Sequence, residues 1–348
     1  MMKPSAICLF FSLLFSPILQ PAYSETTRLD WMVEVTQGPD HHAFTDLVRW
    51  GDSYYLCFRE ARSHNAMDGE IHVLRSQDLK KWTLVKVLRT LGDDRDPHFA
   101  VKDDELYVFF GVWDLTHGEG HDPVERNSVR SHFSKTSDGK EWTKIQAIYE
   151  PGWWLWRVRN LDGKFYSGGY TAIRPKPATR ETRLLSSEDG LNWELVSTVT
   201  TEHGAGEADM WLNDDGTISM LSRTAENAML FRSNPEFSEW EGTRLQDIVH
   251  APAVVHWKDR AFVAGRGKGE KGSVTRLWEL FEDRVEERLT LPSGGDTSYC
   301  GLLVDPESLD QDHPAFFISW YARKIDDRDL TDRGDASSVY VGRIVFDE

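Results

Sequence analysis

The chain contains 348 residues, with 57 acidic against 40 basic side chains and a formal net charge of −17. A surface this acidic repels the phosphates of DNA and RNA, so a nucleic-acid partner is excluded. Aromatic residues make up 12% of the sequence, and 14 residues are Trp. Disordered chains are poor in aromatic side chains, so the composition predicts a folded protein with a substantial core.

Residues 1–24 are typical of a secretory signal peptide. Lys3 gives a positively charged start, an apolar stretch follows, and Ala22 and Ser24 put small side chains where signal peptidase requires them. We therefore expect export to the periplasm or the extracellular space, with an uncleaved membrane anchor as the alternative. Residues 25–348 are expected to form a single domain, and they contain no further apolar run of membrane-spanning length.

The sequence has three cysteines, of which Cys8 lies in the predicted signal peptide and Cys57 and Cys300 in the mature chain. Export permits a disulfide, and the sequence leaves open whether these two pair or stay as buried thiols. No Cys or His cluster has the spacing of a zinc site. We predict no metal and no cofactor for the chemistry, while calcium in a loop stays open.

Short segments that alternate apolar and polar residues recur along the whole chain, and they are rich in Val, Tyr and Phe. In chain order the clearest are YYLCFRE, IHVLRS, ELYVFFGV, KFYSGGY, TISMLSR, RAFVAGR, AFFISWYAR and SVYVGRIVF. Each has the length of a strand, and no segment of useful length shows helical periodicity. The sequence therefore predicts an all-β protein.

A seven-residue pattern, [ST]-x-D-x-x-x-W, occurs three times, at Ser76–Trp82, Thr136–Trp142 and Ser187–Trp193. A fourth copy, Ser233–Trp240, has Pro235 where the Asp is expected. The copies begin 60, 51 and 46 residues apart, and a period of about 50 indicates a ring or stack of supersecondary units. Four antiparallel strands per unit make a propeller blade, and the mature chain has the length of six, so we predict a six-bladed β-propeller.

The chemistry of the repeat is structural. Its Asp and Ser or Thr side chains can bond backbone groups in the turn between two strands, and its Trp is expected to pack between neighbouring blade sheets. The pattern resembles the Asp box of sialidases and related propellers. Three copies at the spacing of blades make this resemblance specific.

From about His41 to the C-terminus, the chain resembles the sialidase (neuraminidase) superfamily and looks most similar to bacterial sialidase-like proteins. Besides the Asp boxes, the segments that carry the likeness are RDPHF, LWRV and PSGGDTSY. The resemblance implies a secreted glycoside hydrolase of the exo-sialidase type, which removes a terminal acidic sugar from a glycan. That sugar is sialic acid or a related ulosonic or uronic acid.

The resemblance also implies three catalytic residues, with Tyr299 as nucleophile, Glu207 as its base and Asp68 as acid/base. The anomeric carbon of a sialic acid carries a carboxylate, which repels a carboxylate nucleophile but not a neutral Tyr. A free phenol has a pKa of about 10, so a nearby Glu must take its proton. A separate carboxyl must protonate the leaving oxygen.

A larger set of residues is implied in substrate binding. Arg223 and Arg266 resemble two members of a carboxylate-binding clamp, and Asp96 resembles an Asp that contacts a substrate hydroxyl. The family's first clamp Arg is missing here, because the corresponding stretch HHAFTD has none, and His42 or Arg59 would take its place. The full implied set is Arg59, Arg62, Asp96, Arg223, Arg266, His42, His98, Arg157 and Trp156.

Other classes of function stay open. A furanosidase-type propeller would use Asp46, Asp96 and Glu207 as its carboxylates, and a propeller lyase would use a His and a Tyr. A propeller that lacks one clamp Arg is also compatible with carbohydrate binding without catalysis. Each interpretation gives a glycan as the partner, and the oligomeric state stays open.

Overall fold

Strands make up nearly all of the regular structure. The computed structural model describes residues 25–113, 129–173, 179–325, 328–329 and 335–347. The one helix within these ranges is a short 3₁₀ turn, Pro306–Ser308, and none of the described residues forms a helix able to cross a membrane. The predicted signal peptide lies outside the described residues.

The strands form six four-stranded antiparallel sheets, which confirms the predicted all-β, six-bladed propeller. Blade 1 consists of β2 (His41–Trp50), β3 (Ser53–Ala61), β4 (Glu70–Ser76) and β5 (Thr83–Leu88). Blade 2 consists of β6 (Asp93–Lys102), β7 (Glu105–Trp113), β8 (Val129–Thr136) and β9 (Gln146–Ile148). Blade 3 consists of β10 (Trp153–Leu161), β11 (Lys164–Thr171), β12 (Thr182–Ser187) and β13 (Glu194–Thr200). Blade 4 consists of β14 (Ala208–Leu212), β15 (Ile218–Ser222), β16 (Met229–Ser233) and β17 (Trp240–Arg244). Blade 5 consists of β18 (His250–Trp257), β19 (Arg260–Gly269), β20 (Gly272–Leu280) and β21 (Val285–Thr290). Blade 6 consists of β22 (Thr297–Val304), β23 (Ala315–Ala322), β26 (Ser338–Asp347) and β1 (Thr26–Glu34). A separate two-stranded ribbon pairs β24 (Lys324–Ile325) with β25 (Arg328–Asp329).

Hydrogen bonds between the two ends of the chain close the ring. β1 runs antiparallel to β26, with Thr26 opposite Asp347 and Glu34 opposite Tyr340. The N-terminal strand therefore completes blade 6, whose other three strands come from the C-terminal part of the chain. Pairing the chain ends within one sheet holds the propeller closed.

The hydrophobic core is divided among the interfaces between neighbouring blades. Blades 1 and 2 share a cluster that contains Val73 and Phe110, and blades 2 and 3 share one that contains Phe109 and Phe165. The other interfaces are filled in the same way. Successive side chains of a strand point to opposite faces, so each sheet can contact both of its neighbours. This arrangement explains why apolar segments are spread evenly along the chain.

The three complete [ST]-x-D-x-x-x-W segments lie at the turn between the third and fourth strands of blades 1 to 3. In the first, Asp78 Oδ1 accepts two backbone N–H bonds, of 2.9 and 2.8 Å. In the third, the Trp193 ring lies against Phe109 of the preceding blade. The fourth copy lacks the Asp, and Asn234 Oδ1 accepts from the Ser238 N–H at 2.8 Å instead.

A buried ion pair lies at the centre of the ring. Arg157 Nη1 on β10 donates to Asp46 Oδ1 on β2 at 2.8 Å, and the two side chains are 4% and 6% exposed. Arg157 also donates to the carbonyls of Pro252 in blade 5 (3.0 Å) and Cys300 in blade 6. Asp46 accepts from the Phe99 N–H in blade 2 at 2.8 Å. Two side chains thus join five blades.

Blade 4 reaches the same centre through Asp209 on β14. Its carboxylate lies 4.0 Å from Arg157 Nε and accepts from Arg159 Nε at 2.6 Å. Arg157 was expected at the substrate, but the structure buries it among backbone carbonyls and carboxylates below the cavity described next. Its observed contacts are therefore those of a residue that holds the blades together.

Cys57 and Cys300 are both buried and free, so the disulfide that the sequence left open is not formed. Burial raises the pKa of the Cys300 thiol to about 12 and also raises that of Cys57. A protonated, buried thiol is a poor nucleophile. Both cysteines therefore act as small core residues.

We predict that Arg157→Met lowers the free energy of unfolding by about 3–5 kcal/mol, because it leaves the Asp46 carboxylate buried without its partner. Denaturant unfolding followed by Trp fluorescence measures the change. Arg284→Met is the matched control, since the ion pair of Arg284 with Asp283 is solvent-exposed and its loss should change the stability little. Equal losses for the two variants would show that the ring does not depend on the central pair.

Candidate active site

A cavity of about 530 Å³ opens where the innermost strands begin and the second strands of the blades end. Both polar and aromatic side chains line it. The lining residues are Phe44, His64, Asn65, Arg95, Asp96, Trp113, Trp154, Trp156, Tyr170, Thr171, Ala172, Ile173, Arg180, Gly204, Glu207, Arg223, Thr224, Ala225, Arg266 and Tyr299.

One position of the innermost strand recurs around this cavity. In five blades the pairing of the first two strands shifts, at residues 43–46, 95–98, 155–158, 250–253 and 298–301. Such a bulge re-aims a side chain out of the regular pattern. Phe44, Asp96, Trp156 and Tyr299 all lie in these bulges and line the cavity. Glu207 holds the corresponding place in blade 4, directly before β14.

Tyr299 and Glu207 form a hydrogen-bonded pair in the cavity. The phenol Oη donates to Glu207 Oε1 at 2.8 Å, and Arg223 Nη1 donates to the same oxygen at 2.5 Å. Burial would raise the pKa of Glu207, but the charge of Arg223 and the bond from Tyr299 lower it overall. Burial and the Glu207 charge raise the pKa of Tyr299. The carboxylate is thus ionised, and the phenol keeps its proton until a base removes it.

Four guanidinium groups line the cavity, those of Arg95, Arg180, Arg223 and Arg266. The two predicted clamp residues both contact Tyr299: Arg223 Nη1 lies 3.3 Å from its Oη, and Arg266 Cζ lies 4.9 Å from its ring centre. The cavity therefore holds a local group of positive charges, although the chain as a whole has a net charge of −17. Four positive charges around one cavity point to an anionic ligand.

Asp96 is a buried carboxyl that lacks full hydrogen bonding. Its side chain is 5% exposed, and its nearby cation, Arg95 Nε, lies 3.6 Å from Oδ2. Oδ1 has no partner among the described residues. Burial raises the pKa of Asp96 to about 7, against the lowering effect of Arg95. A buried polar atom without a partner calls for a hydrogen bond, which a ligand hydroxyl in the cavity can supply.

Aromatic rings form one wall of the cavity. Trp154 stacks on Tyr170 with ring centres 6.1 Å apart, and Trp113 meets Trp154 edge-on at 5.9 Å. The indole nitrogens of Trp154 and Trp156 have no partner among the described residues. Trp153, from the same WWLW segment, instead packs between blades 2 and 3. The segment thus divides between the cavity and the core.

Asp296, beside the cavity, binds two imidazoles. Its Oδ2 lies 2.8 Å from His41 Nε2 and 2.6 Å from His64 Nδ1. Its Oδ1 accepts from Tyr321 Oη at 2.7 Å and from Arg266 Nη2 at 3.3 Å. Burial would raise the pKa of Asp296, but the bonds to His41 and His64 hold it far below its usual value. Burial lowers the pKa of His41 to about 4, so that ring is neutral at physiological pH.

Arg59 is fully buried and holds the loop that follows β3. Its Nε donates to Asp93 Oδ1 at 2.8 Å. Its Nη1 and Nη2 donate to the carbonyls of Ser63 (3.2 Å) and Ala66 (2.9 Å). These two carbonyls bracket His64, so Arg59 fixes the loop that brings His64 to the cavity. Arg59 itself is not among the lining residues, and it does not replace the missing clamp Arg.

Among the described residues, two groups place potential metal-ligand atoms within 4.8 Å of one another. The first group is His41, His64 and Asp296, and the second is Glu60, Glu70 and His72. In the first cluster, Arg59 Nη1 contacts an imidazole and Arg266 Nη2 contacts the carboxylate. These positive charges oppose a cation, so we assign the first cluster to hydrogen bonding. The second cluster lies on blade 1, outside the cavity lining.

Besides Arg59 and Arg157, four more predicted site residues lie outside the cavity lining. Asp68 binds Arg62 in a partly exposed ion pair, and the Arg62 side chain is 80% exposed. His42 Nε2 lies 3.0 Å from Glu60 Oε2. His98 is buried, and neither of its ring nitrogens has a partner among the described residues. The acid/base role of Asp68 and the binding roles of the other three gain no support from this geometry and stay predictions.

Several cavity residues were not predicted from the sequence. They are Phe44, His64, Asn65, Arg95, Trp113, Tyr170 and Arg180. Part of the signal was present, because residues 44, 96, 156 and 207 are 52, 60 and 51 apart, close to the spacing of the [ST]-x-D-x-x-x-W copies. Counting by blade from a predicted site residue leads to Phe44 and to Arg95, the neighbour of Asp96. His64 and Arg180 lie between strands and have no such signal.

We predict that Asp96→Asn stabilises the protein at pH 8 but not at pH 4. The folded carboxyl has a pKa of about 7 against an unfolded value near 3.9, so the wild type loses stability as the pH rises between these values. Within that range the loss is ~1.4 kcal/mol for each pH unit, and the amide cannot ionise. Thermal unfolding of both proteins from pH 4 to pH 8 measures the difference in melting temperature between the wild type and the variant.

Asp189→Asn is the matched control. Burial would raise the pKa of Asp189, but backbone and side-chain bonds lower it to about 2. Its contribution is therefore complete above pH ~4, where the unfolded carboxyl is already ionised. The melting-temperature difference of this variant should stay constant from pH 5 to pH 8. An equally constant difference for Asp96→Asn would contradict a raised pKa at Asp96.

No protein-family profile and no curated protein matches the chain. Its structure is similar to the sialidase of Trypanosoma rangeli, with a TM-score of 0.65 and 14% identity over 93% of this chain and 60% of that one. The same sialidase in complex with sialic acid gives a TM-score of 0.62 and 13% identity, over 92% and 59% of the two chains.

An endosialidase of phage phi92 is similar with a TM-score of 0.58 and 12% identity, over 91% of this chain and 69% of that one. The chain spans about 60% of the length of the trypanosomal sialidase chain that it matches. At these identities the likeness concerns the fold. The protein therefore has a sialidase-like, six-bladed β-propeller fold.

Proposed function

We propose that the protein is an exo-glycosidase that cleaves a terminal acidic sugar from a glycan, with Tyr299 as nucleophile and Glu207 as its base. The observation that carries the proposal is the 2.8 Å hydrogen bond from the buried phenol to an ionised carboxylate, within a cavity lined by four arginines. A phenol beside a carboxylate that can take its proton is an activated nucleophile.

The charge of the cavity supports an acidic sugar as the substrate. The acidic protein surface does not attract an anionic glycan, so recognition rests on the local arginines. Arg223 and Arg266 flank Tyr299, where they can bind a carboxylate next to the reacting carbon. Sialic acid, a related ulosonic acid and a uronic acid all fit this requirement.

The remaining polar and aromatic groups suit the rest of a sugar ring. Asp96 Oδ1 lacks a partner among the described residues, and a sugar hydroxyl can bond it. The rings of Trp154 and Trp156 offer an apolar face with two indole N–H groups that bond none of the described residues. This combination matches the CH face and the polar substituents of a sugar.

In the first chemical step, Tyr299 Oη bonds to the anomeric carbon while its proton passes to Glu207 Oε1. The glycosidic C–O bond breaks, and the leaving oxygen takes a proton from a separate acid, the role predicted for Asp68. A neutral nucleophile avoids the repulsion that a carboxylate would meet at an anionic substrate. The resulting glycosyl–tyrosine is hydrolysed by water, and Glu207 returns the proton to the phenolate. Arg223 holds Glu207 as a carboxylate before the reaction, since it donates to the same oxygen that accepts the phenol.

A furanosidase mechanism that uses Asp46, Asp96 and Glu207 is less well supported. Asp46 is bound to Arg157 at the ring centre and does not line the cavity. The three carboxyl groups therefore do not surround one substrate position. Export through the predicted signal peptide would bring the enzyme to extracellular glycans, and it stays part of the proposal.

We predict that Tyr299→Phe lowers kcat/KM by ~100-fold or more, because it removes the nucleophilic oxygen but keeps the ring. The purified protein is assayed against a panel of sialosides, other ulosonic acid glycosides and uronides. Tyr166→Phe is the matched control, since Tyr166 packs on Phe237 between blades 3 and 4, away from the cavity. Full activity of Tyr299→Phe would rule out the Tyr mechanism, and a wild type inert on the whole panel would favour a binding protein.

A further inference from the structure

We propose that His64, oriented by Asp296, is the general acid and base that protonates the leaving oxygen and then activates water. This inference rests on the proposed glycosidase function and adds the proton donor that the Tyr299–Glu207 pair does not supply. The sequence pointed to Asp68 for this role, from the same loop after β3. A series of hydrogen bonds from Arg59 through His41 and Asp296 to His64 shows which ring nitrogens carry protons.

The direction of each bond is fixed by Arg59, which can only donate. Its Nη1 lies 3.4 Å from His41 Nδ1, so Nδ1 is the acceptor and His41 carries its proton on Nε2. His41 Nε2–H then donates to Asp296 Oδ2 at 2.8 Å. The ionised Asp296 is an acceptor only, so the 2.6 Å bond to His64 comes from a protonated Nδ1.

This arrangement leaves Nε2 as the ring nitrogen of His64 that is not bonded to Asp296. A carboxylate bonded to one ring nitrogen fixes the orientation of an imidazole and leaves the other nitrogen to exchange protons. His64 lines the cavity, its side chain is 34% exposed, and its Nε2 has no bond to any described residue. A ring in this setting can pass a proton between the substrate and solvent.

Its degree of exposure distinguishes His64 from Asp96. In an exo-glycosidase the leaving oxygen is joined to the rest of the glycan, which must extend out of the cavity into solvent. The acid therefore belongs near the opening. His64 is 34% exposed, whereas the Asp96 side chain is 5% exposed. Asp96 is better placed to bond a hydroxyl of the buried sugar.

Asp68 is a weaker acid candidate on this geometry. It pairs with Arg62 at the loop surface and does not line the cavity. Burial would raise the pKa of Asp68, but its bonds to the Arg62 side chain and backbone lower it overall. It therefore carries no proton to donate at neutral pH.

The charged and titratable groups around His64 come from four elements. Asp296, before β22, bonds it directly, and His41 of β2 lies ring to ring at 5.2 Å. Arg59 of β3 bonds the carbonyls on both sides of it, and Arg266 of β19 contacts the far oxygen of Asp296. Of these groups, only Asp296 bonds the imidazole directly.

The proposed cycle balances in two steps. In the first, the Tyr299 oxygen bonds to the anomeric carbon and its proton passes to Glu207, while the glycosidic C–O bond breaks and the proton on His64 Nε2 passes to the leaving oxygen. In the second, the neutral His64 takes a proton from water, the water oxygen bonds to the anomeric carbon, and the bond to Tyr299 breaks as Glu207 returns its proton to the phenolate. The free sugar is released, and His64 and Tyr299 are again protonated.

The test compares leaving groups. For the acidic sugar that the panel selects, kcat/KM is measured on the methyl glycoside, whose poor leaving group needs protonation, and on the methylumbelliferyl glycoside, which needs little. His64→Gln and His64→Asn should each lose ~100-fold or more on the methyl glycoside and less than ~10-fold on the aryl glycoside.

His72→Gln is the matched control, because His72 is a partly buried His of blade 1 outside the cavity lining. It should behave as the wild type on both substrates. Equal losses of the His64 variants on the two glycosides, or no loss, would overturn the proposal, as would a leaving-group effect confined to Asp68→Asn or Asp96→Asn. A wild type inert on every glycoside would instead overturn the glycosidase function, and this proposal with it.

Discussion

The ion pair between Arg157 and Asp46 is the contact on which the ring depends. One guanidinium and one carboxylate, both buried, reach backbone or side-chain groups of every blade, including Asp209 of blade 4 at 4.0 Å. Five of the six apolar clusters of the described residues lie between two neighbouring blades, so none of these five joins the whole ring. A polar hub at the axis can tie all six inner strands to one geometry, provided that each of its charges is paired.

The cavity is a consequence of that common geometry. The bulges of blades 1, 2, 3 and 6 each bring one side chain to the same cavity, and Glu207 takes the corresponding place in blade 4. Five blades therefore offer different chemical groups at an equivalent position: a phenol, two carboxyls and two aromatic rings. Phe44, Asp96 and Tyr299 adopt φ of 59°, 50° and 50° there. Such backbone conformations cost energy and persist only where the surrounding fold enforces them.

Much of the fold could be predicted from the sequence, because the patterns of its strands and turns recur along the chain. Alternating apolar segments indicated the strands, and the spacing of the [ST]-x-D-x-x-x-W copies indicated the number of blades. The Tyr299, Glu207, Arg223 and Arg266 set lies on strands or at their ends, and a strand position follows from counting along the blade. The structure brings all four to one cavity.

The parts that were missed depend on contacts between distant segments. Arg59 is predicted to stand in for the missing clamp Arg, and Arg157 to face the pocket from the WWLWRV segment. In the structure each bonds a buried carboxylate. His64 lies in a loop whose path is set by Arg59, and its chemical character is set by Asp296, 232 residues away in sequence. No local pattern encodes such a pair. Contacts between residues so far apart in the sequence are seen only in the folded structure.

The closure of the ring also constrains when the protein can fold. β1 is the first strand and pairs with β26, the last, so the contact spans nearly the whole chain. Such non-local pairings form slowly, because a long loop must close before any bond repays its entropy. A growing chain that lacks its final strand has blade 6 incomplete and an unpaired β1. The ring can therefore be completed only after β26 has been synthesised and has paired with β1.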